Sequence, residues 1–129
     1  MKKDNKGFSL VELIIVIAIM AVLIGLLAPQ YLKFVKKSKI SADVSNAQAL
    51  ATAFNVAFAD STISENTTPY TGAPGANCPS GVNAQWPVCK LNSTYSFAVT
   101  VGSNGVSKVT ISGKQVWPTV DSTSDWAAN

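Results

Sequence analysis

The chain has 129 residues, of which 47% are hydrophobic, and its ten lysines against seven acidic residues give a net charge of +3. Arginine, the side chain that binds phosphate in bidentate fashion, is absent, so nucleic-acid binding is not expected. Histidine is also absent, which excludes a histidine-dependent nucleophile. With no acid pair suited to general acid–base chemistry and no glycine-rich phosphate loop, we predict a protein that is not an enzyme and takes no cofactor.

The N-terminus joins a short charged head to a long apolar run. The head ends at Gly7, and the apolar run over residues 8–28 holds a single charged residue, Glu12. In an ordinary secretory signal the small residue of the cleavage site follows the apolar core, whereas here Gly7 precedes it. Cleavage after Gly7 would therefore remove the head and leave the apolar segment as the new N-terminus.

This junction resembles the class III leader of type IV pilins and of the related pseudopilins. The matching residues are Lys2, Lys3, Lys6 and Gly7, the segment Phe8-Ser9-Leu10-Val11-Glu12-Leu13, and the apolar run that ends at Pro29. The resemblance implies that a membrane-embedded prepilin peptidase cleaves between Gly7 and Phe8 and methylates the new amino group of Phe8. It also implies four regions: a leader over 1–7, a transmembrane and filament-core helix over 8–28, an amphipathic helix over 29–59, and a remainder over 60–129 with a loop, an antiparallel sheet and a tail.

Residues 8–28 are long enough to cross a membrane, because a helix of this length measures roughly 31 Å, the thickness of the hydrocarbon core of a bilayer. Lysines flank the helix on both sides, so the positive-inside rule does not decide its orientation. They are Lys2, Lys3 and Lys6 before it, and Lys33, Lys36, Lys37 and Lys39 after it. The resemblance implies a single-pass precursor in the inner or cytoplasmic membrane with its C-terminal part outside, and the later lysines would then contact lipid headgroups or line the filament surface.

Glu12 is not explained by a plain membrane anchor. Its carboxylate can reach towards the headgroups, but an acid within a membrane span is costly and by default indicates a functional partner. Cleavage after Gly7 would create an amine on Phe8 within about one helical turn of Glu12. The resemblance implies that Glu12 neutralises the N-terminal amine of an adjacent subunit in a filament core.

Gly25 and Pro29 mark a weak point in the same helix. Proline donates no backbone hydrogen bond and its ring crowds the carbonyl four residues back, which is that of Gly25, so we expect the helix to bend or loosen there. In a fixed monomer this is merely a kink, whereas in assembled pili of similar proteins this region extends.

Beyond Pro29 the helix is predicted to continue to about Ala59 and to become amphipathic. Apolar residues recur at three- and four-residue steps and form a stripe that needs a sheet to pack on. The stripe consists of Ile40, Val44, Ala47, Ala51, Phe54 and Phe58, and the polar residues predicted to lie mostly off it are Asp43, Ser45, Asn46, Gln48 and Asn55.

Residues 60–90 are rich in Ser, Thr, Asn, Gly and Pro and are predicted to form a long loop. Cys78 and Cys89 lie within it, and with no histidine and no further cysteine they lack partners for a zinc site. They form either a disulfide in an oxidising compartment or two free thiols in a reducing one. We expect the disulfide, because the chain is predicted to be targeted to a membrane, and we expect it to brace the loop.

Three alternating segments, 95–101, 106–111 and 115–117, predict short strands. Gly102-Ser103-Asn104-Gly105 is the predicted turn between the first two, and Gly113-Lys114 the turn before the third. The predicted fold class is α+β, with a long N-terminal helix packed on a small antiparallel sheet of about three strands. This is also the fold of the resembled family.

Two weaker hypotheses concern the C-terminal part of the chain. An aromatic platform for a sugar is conceivable, although packing is the more common use of such rings. The rings are Trp86, Trp117, Trp126, Tyr70 and Tyr95. Asp121 and Asp125 are weak candidates for a calcium site, as in major pseudopilins, but two acids among serines and threonines are more often a solvated tail.

The predicted function is that of a structural subunit of a type IV pilus, cleaved and N-methylated by a prepilin peptidase and polymerised through its N-terminal helix into a helical surface filament. Its expected partners are copies of itself, the peptidase, the pilus assembly machinery and, before assembly, the membrane. One alternative is a pseudopilin of a type II secretion or DNA-uptake machine, which shares the leader and the fold. Another is a membrane-tethered adhesin that binds sugar or DNA. Adhesion, motility, DNA uptake and aggregation all fit a filament of this kind.

Overall fold

The computed structural model describes residues 7–127, so the leader residues 1–6 and the last two residues of the tail lie outside the described part. One helix, α1, spans Leu10–Ala59 and is followed by four strands. These are β1 (Asn66–Thr71), β2 (Phe97–Gly102), β3 (Gly105–Ile111) and β4 (Lys114–Trp117). The α+β fold class and the extent of the long helix are as predicted.

The chain divides into two compact units, an N-terminal unit, Met1–Val35, and a C-terminal unit, Lys36–Asn129. In the N-terminal unit, every side chain described from Phe8 to Phe34 is exposed, and the segment is helical from Leu10 onwards. Among the described residues, α1 is the one helix long and apolar enough to cross a membrane. This assignment rests on the length and the apolar composition of α1.

In the C-terminal unit, one face of α1 is buried at three- and four-residue steps, as an amphipathic helix requires. The buried residues are Ile40, Asp43, Ala47, Leu50, Ala51, Phe54 and Ala57. The predicted stripe is therefore confirmed in its phase, although Val44 and Phe58 are only partly buried. The placement of Asp43 on the polar face is wrong, because its side chain is 0% exposed.

The four strands form a single antiparallel sheet in the order β1-β2-β3-β4. Its buried face alternates along β2, where Phe97, Val99 and Val101 point inward, and continues through Val109 and Ile111 of β3. These residues form one core with the buried face of α1, so the predicted packing of helix on sheet is confirmed. Period-two alternation is the pattern that a sheet with one buried face produces.

Strand β1 lies in the segment that was predicted to be a loop. Its sequence, NTTPYT, is polar and contains Pro69, and its pairing with β2 is irregular between Asn66 and Tyr70. Proline cannot donate to a sheet ladder and is therefore tolerated at the edge, where β1 lies. Strand β1 is stabilised by its backbone pairing with β2, and the alternation of its side chains contributes little.

The two tight turns of the sheet are those of β-hairpins. Gly102 pairs with Gly105 across the predicted Ser103-Asn104 turn. The next turn is centred one residue earlier than predicted, because Ser112 (φ 49°) and Gly113 (φ 80°) both have positive φ and Lys114 already pairs with Ile111. Two central residues with positive φ are what the common two-residue hairpin turn requires.

Backbone hydrogen bonds order the loop between β1 and β2. Gly75 N–H donates to the carbonyl of Trp86 (2.7 Å), and Trp86 N–H donates to that of Ala76 (2.8 Å). Cys78 N–H donates to the carbonyl of Ala84 (3.0 Å) in the same turn of chain. The loop thus folds back on itself and carries the Trp86 ring into the core, 5.8 Å from the Phe54 ring between centroids.

Candidate functional site

The candidate site begins where α1 begins. Gly7, Phe8 and Ser9 are not helical, and the first helical residue is Leu10. Ser9 N–H donates to Oε2 of Glu12 (2.9 Å), while Glu12 N–H donates to Oγ of Ser9 (3.2 Å). This reciprocal pair is a capping box, which satisfies two backbone donors that a helix start would otherwise leave free.

The capping box gives Glu12 a role inside its own chain that the sequence analysis did not assign. A serine followed three residues later by a glutamate, ahead of an apolar run, is the sequence pattern of such a box and was present at Ser9 and Glu12. The negative charge also lies in the first turn, where it interacts favourably with the helix dipole. The box leaves the Gly7–Phe8 bond outside the helix.

The side chains around this site are apolar and exposed. Phe8 is 93% exposed, and the exposed large apolar residues that follow it on the N-terminal unit are Leu10, Val11, Leu13, Ile14, Ile15, Val16, Ile17, Ile19, Met20, Val22, Leu23, Ile24, Leu26, Leu27, Tyr31, Leu32 and Phe34. Because they point in all directions around the helix, they do not form a single stripe. A helix that is apolar all round is suited to lipid or to contact with other helices on every side.

Pro29 lies inside α1, and the helix continues through it without interruption. Pro29 has no N–H to offer to the carbonyl of Gly25, and an added Cβ at Gly25 would meet nothing within 4 Å. The bend or loosening predicted for this turn stays a prediction.

Cys78 and Cys89 are both buried free thiols in this structure, so the predicted disulfide is not formed here. The thiol of Cys89 donates a hydrogen bond through Sγ to Oδ2 of Asp43 (3.2 Å). Burial raises the pKa of the Cys78 thiol. Burial also raises the pKa of Cys89, and the contact with Asp43 adds to this rise, against the lowering effect of backbone groups at Asn92 and Leu91. The loop is ordered by its backbone hydrogen bonds instead of a covalent bridge.

Asp43 is the centre of a buried polar cluster that we call the Asp43 cluster, formed with Cys89, Lys90, Leu91 and Trp126. Lys90 N–H donates to Oδ1 (2.6 Å), and Leu91 N–H donates to Oδ2 (3.1 Å). The indole Nε1–H of Trp126 also donates to Oδ2 (2.9 Å). The spacing of Asp43, three residues after Ile40 and four before Ala47, was the signal that could have placed it on the buried face.

The remaining candidates are not brought together into a ligand site. Trp86 and Trp126 are 2% exposed, which confirms packing as their use, and Tyr95 lies against Trp126 with ring centroids 6.0 Å apart. Oδ1 of Asp121 accepts hydrogen bonds from N–H (2.9 Å) and Oγ1 (2.8 Å) of Thr123, which lower its pKa. Among residues 7–127, no group of three or more acidic or cysteine side chains is arranged to hold a metal ion, at Asp125 or elsewhere.

Similarity to known proteins covers part of the chain. Residues 2–28 match the family described as the prokaryotic N-terminal methylation motif. The chain is 37% identical over 60 residues to the type IV major fimbrial protein FimA of Dichelobacter nodosus and 45% identical over 49 residues to the type IV major pilin protein PilA of Myxococcus xanthus. It is 41% identical over 51 residues to a fimbrial protein of Pseudomonas aeruginosa.

These matches cover 46%, 38% and 40% of this chain and 38%, 22% and 33% of the respective relatives. The chain therefore spans less than two fifths of the length of each of these relatives. No solved structure matches it significantly.

Proposed function

We propose that this chain, which is similar to type IV pilins through its N-terminal segment, is a structural and not an enzymatic protein, and that it serves as a subunit of a type IV pilus. The observation that carries this proposal is the methylation motif over residues 2–28, which contains Gly7, Phe8 and Glu12. The names of the relatives, a major pilin and fimbrial proteins, favour a pilus over the alternative of a secretion pseudopilin.

The exposed apolar surface of the N-terminal unit supports polymerisation. Residues 8–34, helical from Leu10 onwards, expose a largely apolar surface that water does not solvate well, so lipid must cover it before assembly and neighbouring helices afterwards. Lipid covers this surface in a precursor that is held in the inner or cytoplasmic membrane by a single pass, with the C-terminal unit outside. Neighbouring helices cover it in a filament with these helices in its core, whereas in a tethered adhesin only lipid would cover it.

Glu12 is proposed to act twice. In one chain it completes the capping box with Ser9 through Oε2. After cleavage between Gly7 and Phe8 by a prepilin peptidase, its charge is proposed to neutralise the methylated amine of Phe8 in an adjacent subunit. The turn at Gly25 and Pro29 is proposed as the place where the helix loosens when the filament extends, because the Gly25 carbonyl lacks its usual donor.

Processing is tested by the intact mass of the protein recovered from the cell surface. The mature chain is expected to begin at Phe8 and to carry one added methyl group. A surface protein that retains the leader residues 1–7 would refute the proposed maturation and, with it, the pilus subunit.

Assembly is tested by Glu12→Gln with Ser9→Ala as the matched variant. Glutamine still completes a capping box but carries no charge, whereas Ser9→Ala removes the capping hydroxyl and keeps the charge. An uncompensated charge buried in an apolar core costs about 3–5 kcal/mol, so Glu12→Gln is expected to lower filament yield at least about a hundredfold while the protein remains in the membrane and is still cleaved.

Filaments sheared from cells and counted by electron microscopy give the readout. The proposal predicts filaments for Ser9→Ala and few or none for Glu12→Gln. Normal yield from Glu12→Gln would exclude the charge of Glu12 from assembly. Loss in Ser9→Ala alone would show that Glu12 acts through the helix cap.

A further inference from the structure

We propose that Asp43 and Trp126 form a clasp that fastens the C-terminal segment, residues 121–127, to α1 and at the same time seals the thiol of Cys89. The clasp is a conformational device within the C-terminal unit and goes beyond the proposed pilus function. The clasp depends on the buried carboxylate of Asp43, which accepts hydrogen bonds from distant parts of the chain.

The geometry of the Asp43 cluster supports the clasp. Oδ2 of Asp43 accepts three hydrogen bonds, from Sγ of Cys89 (3.2 Å), from N–H of Leu91 (3.1 Å) and from Nε1–H of Trp126 (2.9 Å). An ionised carboxylate is an acceptor only, so a set of partners that all donate matches it without conflict. Asp43 is 0% exposed, which makes the loss of any one donor costly.

Trp126 is the part of the C-terminal segment that reaches the core. The segment lies beyond the last strand, β4, and Asp121 N–H ties its start to the carbonyl of Gln115 (2.9 Å). Its later backbone bonds are local, from Ser124 N–H to Asp121 and from Ala127 N–H to Ser124, and Lys114 Nζ of β4 donates to Oγ1 of Thr123 (3.4 Å) at the surface. Trp126 is 2% exposed, packs against Tyr95 and donates to Asp43, so this side chain fixes the end of the segment to the core.

Cys89 is a built-in reporter of the clasp. Its thiol is 1% exposed and shares an acceptor atom with the Trp126 indole. Cys78 is also buried, at 8% exposure, but is not among the donors to Asp43, so it serves as the internal reference. If the clasp opens, Cys89 gains access to solvent and Cys78 does not.

The test measures alkylation of the two thiols in the full chain in detergent micelles, with a small maleimide and peptide mass spectrometry. Trp126→Phe keeps an aromatic ring in the core and removes the indole donor. Trp117→Phe in β4 makes the same change outside the Asp43 cluster and is the matched control. Because a hydrogen bond to a charged group is a strong one, Trp126→Phe is expected to speed labelling of Cys89 about ten- to a hundredfold, with Cys78 unchanged.

The control, Trp117→Phe, is expected to leave the ratio of the two labelling rates at its original value. Equal acceleration of Cys78 and Cys89 in Trp126→Phe would mean general destabilisation and would overturn the clasp, as would no acceleration of either thiol. Asp43→Asn is a second arm, in which Cys89 should again be selectively exposed. If Asp43→Asn does not accumulate, the two tryptophan variants decide the outcome.

Discussion

At the scale of single residues, the two carboxylates of α1 are held in opposite ways. Glu12 is exposed and bonds to Ser9 in its own helical turn. Asp43 is buried and bonds to the loop at Cys89 and to Trp126, 83 residues further along the chain. The exposed carboxylate can take an additional charged partner, whereas the buried one is committed to holding the C-terminal unit together.

The thiols give a prediction about alkaline pH. A thiol whose pKa is raised by folding contributes stability below the pKa of the unfolded state and loses that contribution as the pH rises through the folded pKa. Burial raises the pKa of Cys78 and Cys89, so the free energy of unfolding is expected to decline above about pH 8.5, where unfolded thiols ionise.

Guanidinium unfolding of the full chain in detergent, followed by tryptophan fluorescence between pH 7 and 10, measures this decline. Cys78→Ala with Cys89→Ala is expected to flatten it, because the double variant lacks both groups whose pKa folding raises. An unchanged slope in the double variant would show that the thiols do not contribute.

Gly7, Phe8 and Glu12 could be proposed as site residues from the sequence alone, because they lie at fixed spacing within the motif over residues 2–28. Sequence reasoning missed the Asp43 cluster, because the donors to Asp43 are two backbone N–H groups, a thiol and an indole from remote positions. A polar residue in an apolar stripe is usually assigned to the surface, and only the fold shows the donors that make its burial possible. The contact between Cys89 and Asp43 was also missed, because two cysteines in a short loop do not reveal what else each sulfur contacts.

At the scale of elements, the β2–β3 hairpin makes a close contact with α1 at Asn55. Gly105 has φ +108°, and a Cβ built there would lie 2.5 Å from Oδ1 of Asn55. That oxygen accepts the N–H of Val106 (2.8 Å), so the helix side chain is bonded to the strand directly after the glycine. A glycine is required here both by the backbone angle and by the space.

Gly105→Ala is therefore expected to lower the free energy of unfolding by about 1–3 kcal/mol. Gly113→Ala is the matched variant, because Gly113 also has positive φ (+80°) in a hairpin turn but has nothing within 4 Å of an added Cβ. It should cost less, and the difference between the two measures the contact with Asn55. Equal losses in denaturant titrations would assign the whole effect to the backbone.

The elements differ in how well the sequence predicts them. Helix α1, strands β2 and β3 and the turn between them follow from apolar periodicity and paired glycines, and β4 was placed to within one residue. Strand β1 could not be predicted from its own residues, because NTTPYT has neither alternation nor a buried face, and its exposed threonines give no inward pattern. Pairing to a neighbour that is distant in sequence creates such an edge strand, and local propensity does not encode that pairing.

At the scale of the whole molecule, apolar surface is distributed very unevenly along the chain. Residues 8–34 expose large apolar side chains along their whole length, whereas the large apolar residues exposed in the described part of the C-terminal unit are Val56 and Val88. Large exposed apolar surface marks contact with a membrane or with other proteins. The N-terminal unit is thus the part of the chain expected to contact a membrane or other proteins.

Lysine substitutions test this distribution. Replacing Ile17 and Ile24 together with lysine places two charges in the apolar helix, each costing about 2.5–3.5 kcal/mol at the centre of a membrane span. The double variant is expected to leave the membrane fraction after an alkaline wash, while the unsubstituted chain stays. Ser45→Lys with Gln48→Lys, on an exposed face of the C-terminal unit, is the control and should be retained. Retention of the Ile17 and Ile24 variant would argue against a membrane-spanning precursor.

The two edges of the sheet limit how copies of this protein can join. An open edge strand is a template on which further strands add without end, as in amyloid fibres. Here the β1 edge contains Pro69 and an irregular pairing, and the β4 edge is four residues long, starts at Lys114 and is followed by Pro118. Both edges therefore resist strand-by-strand growth, so copies of this protein held at high local concentration are protected from uncontrolled β-aggregation.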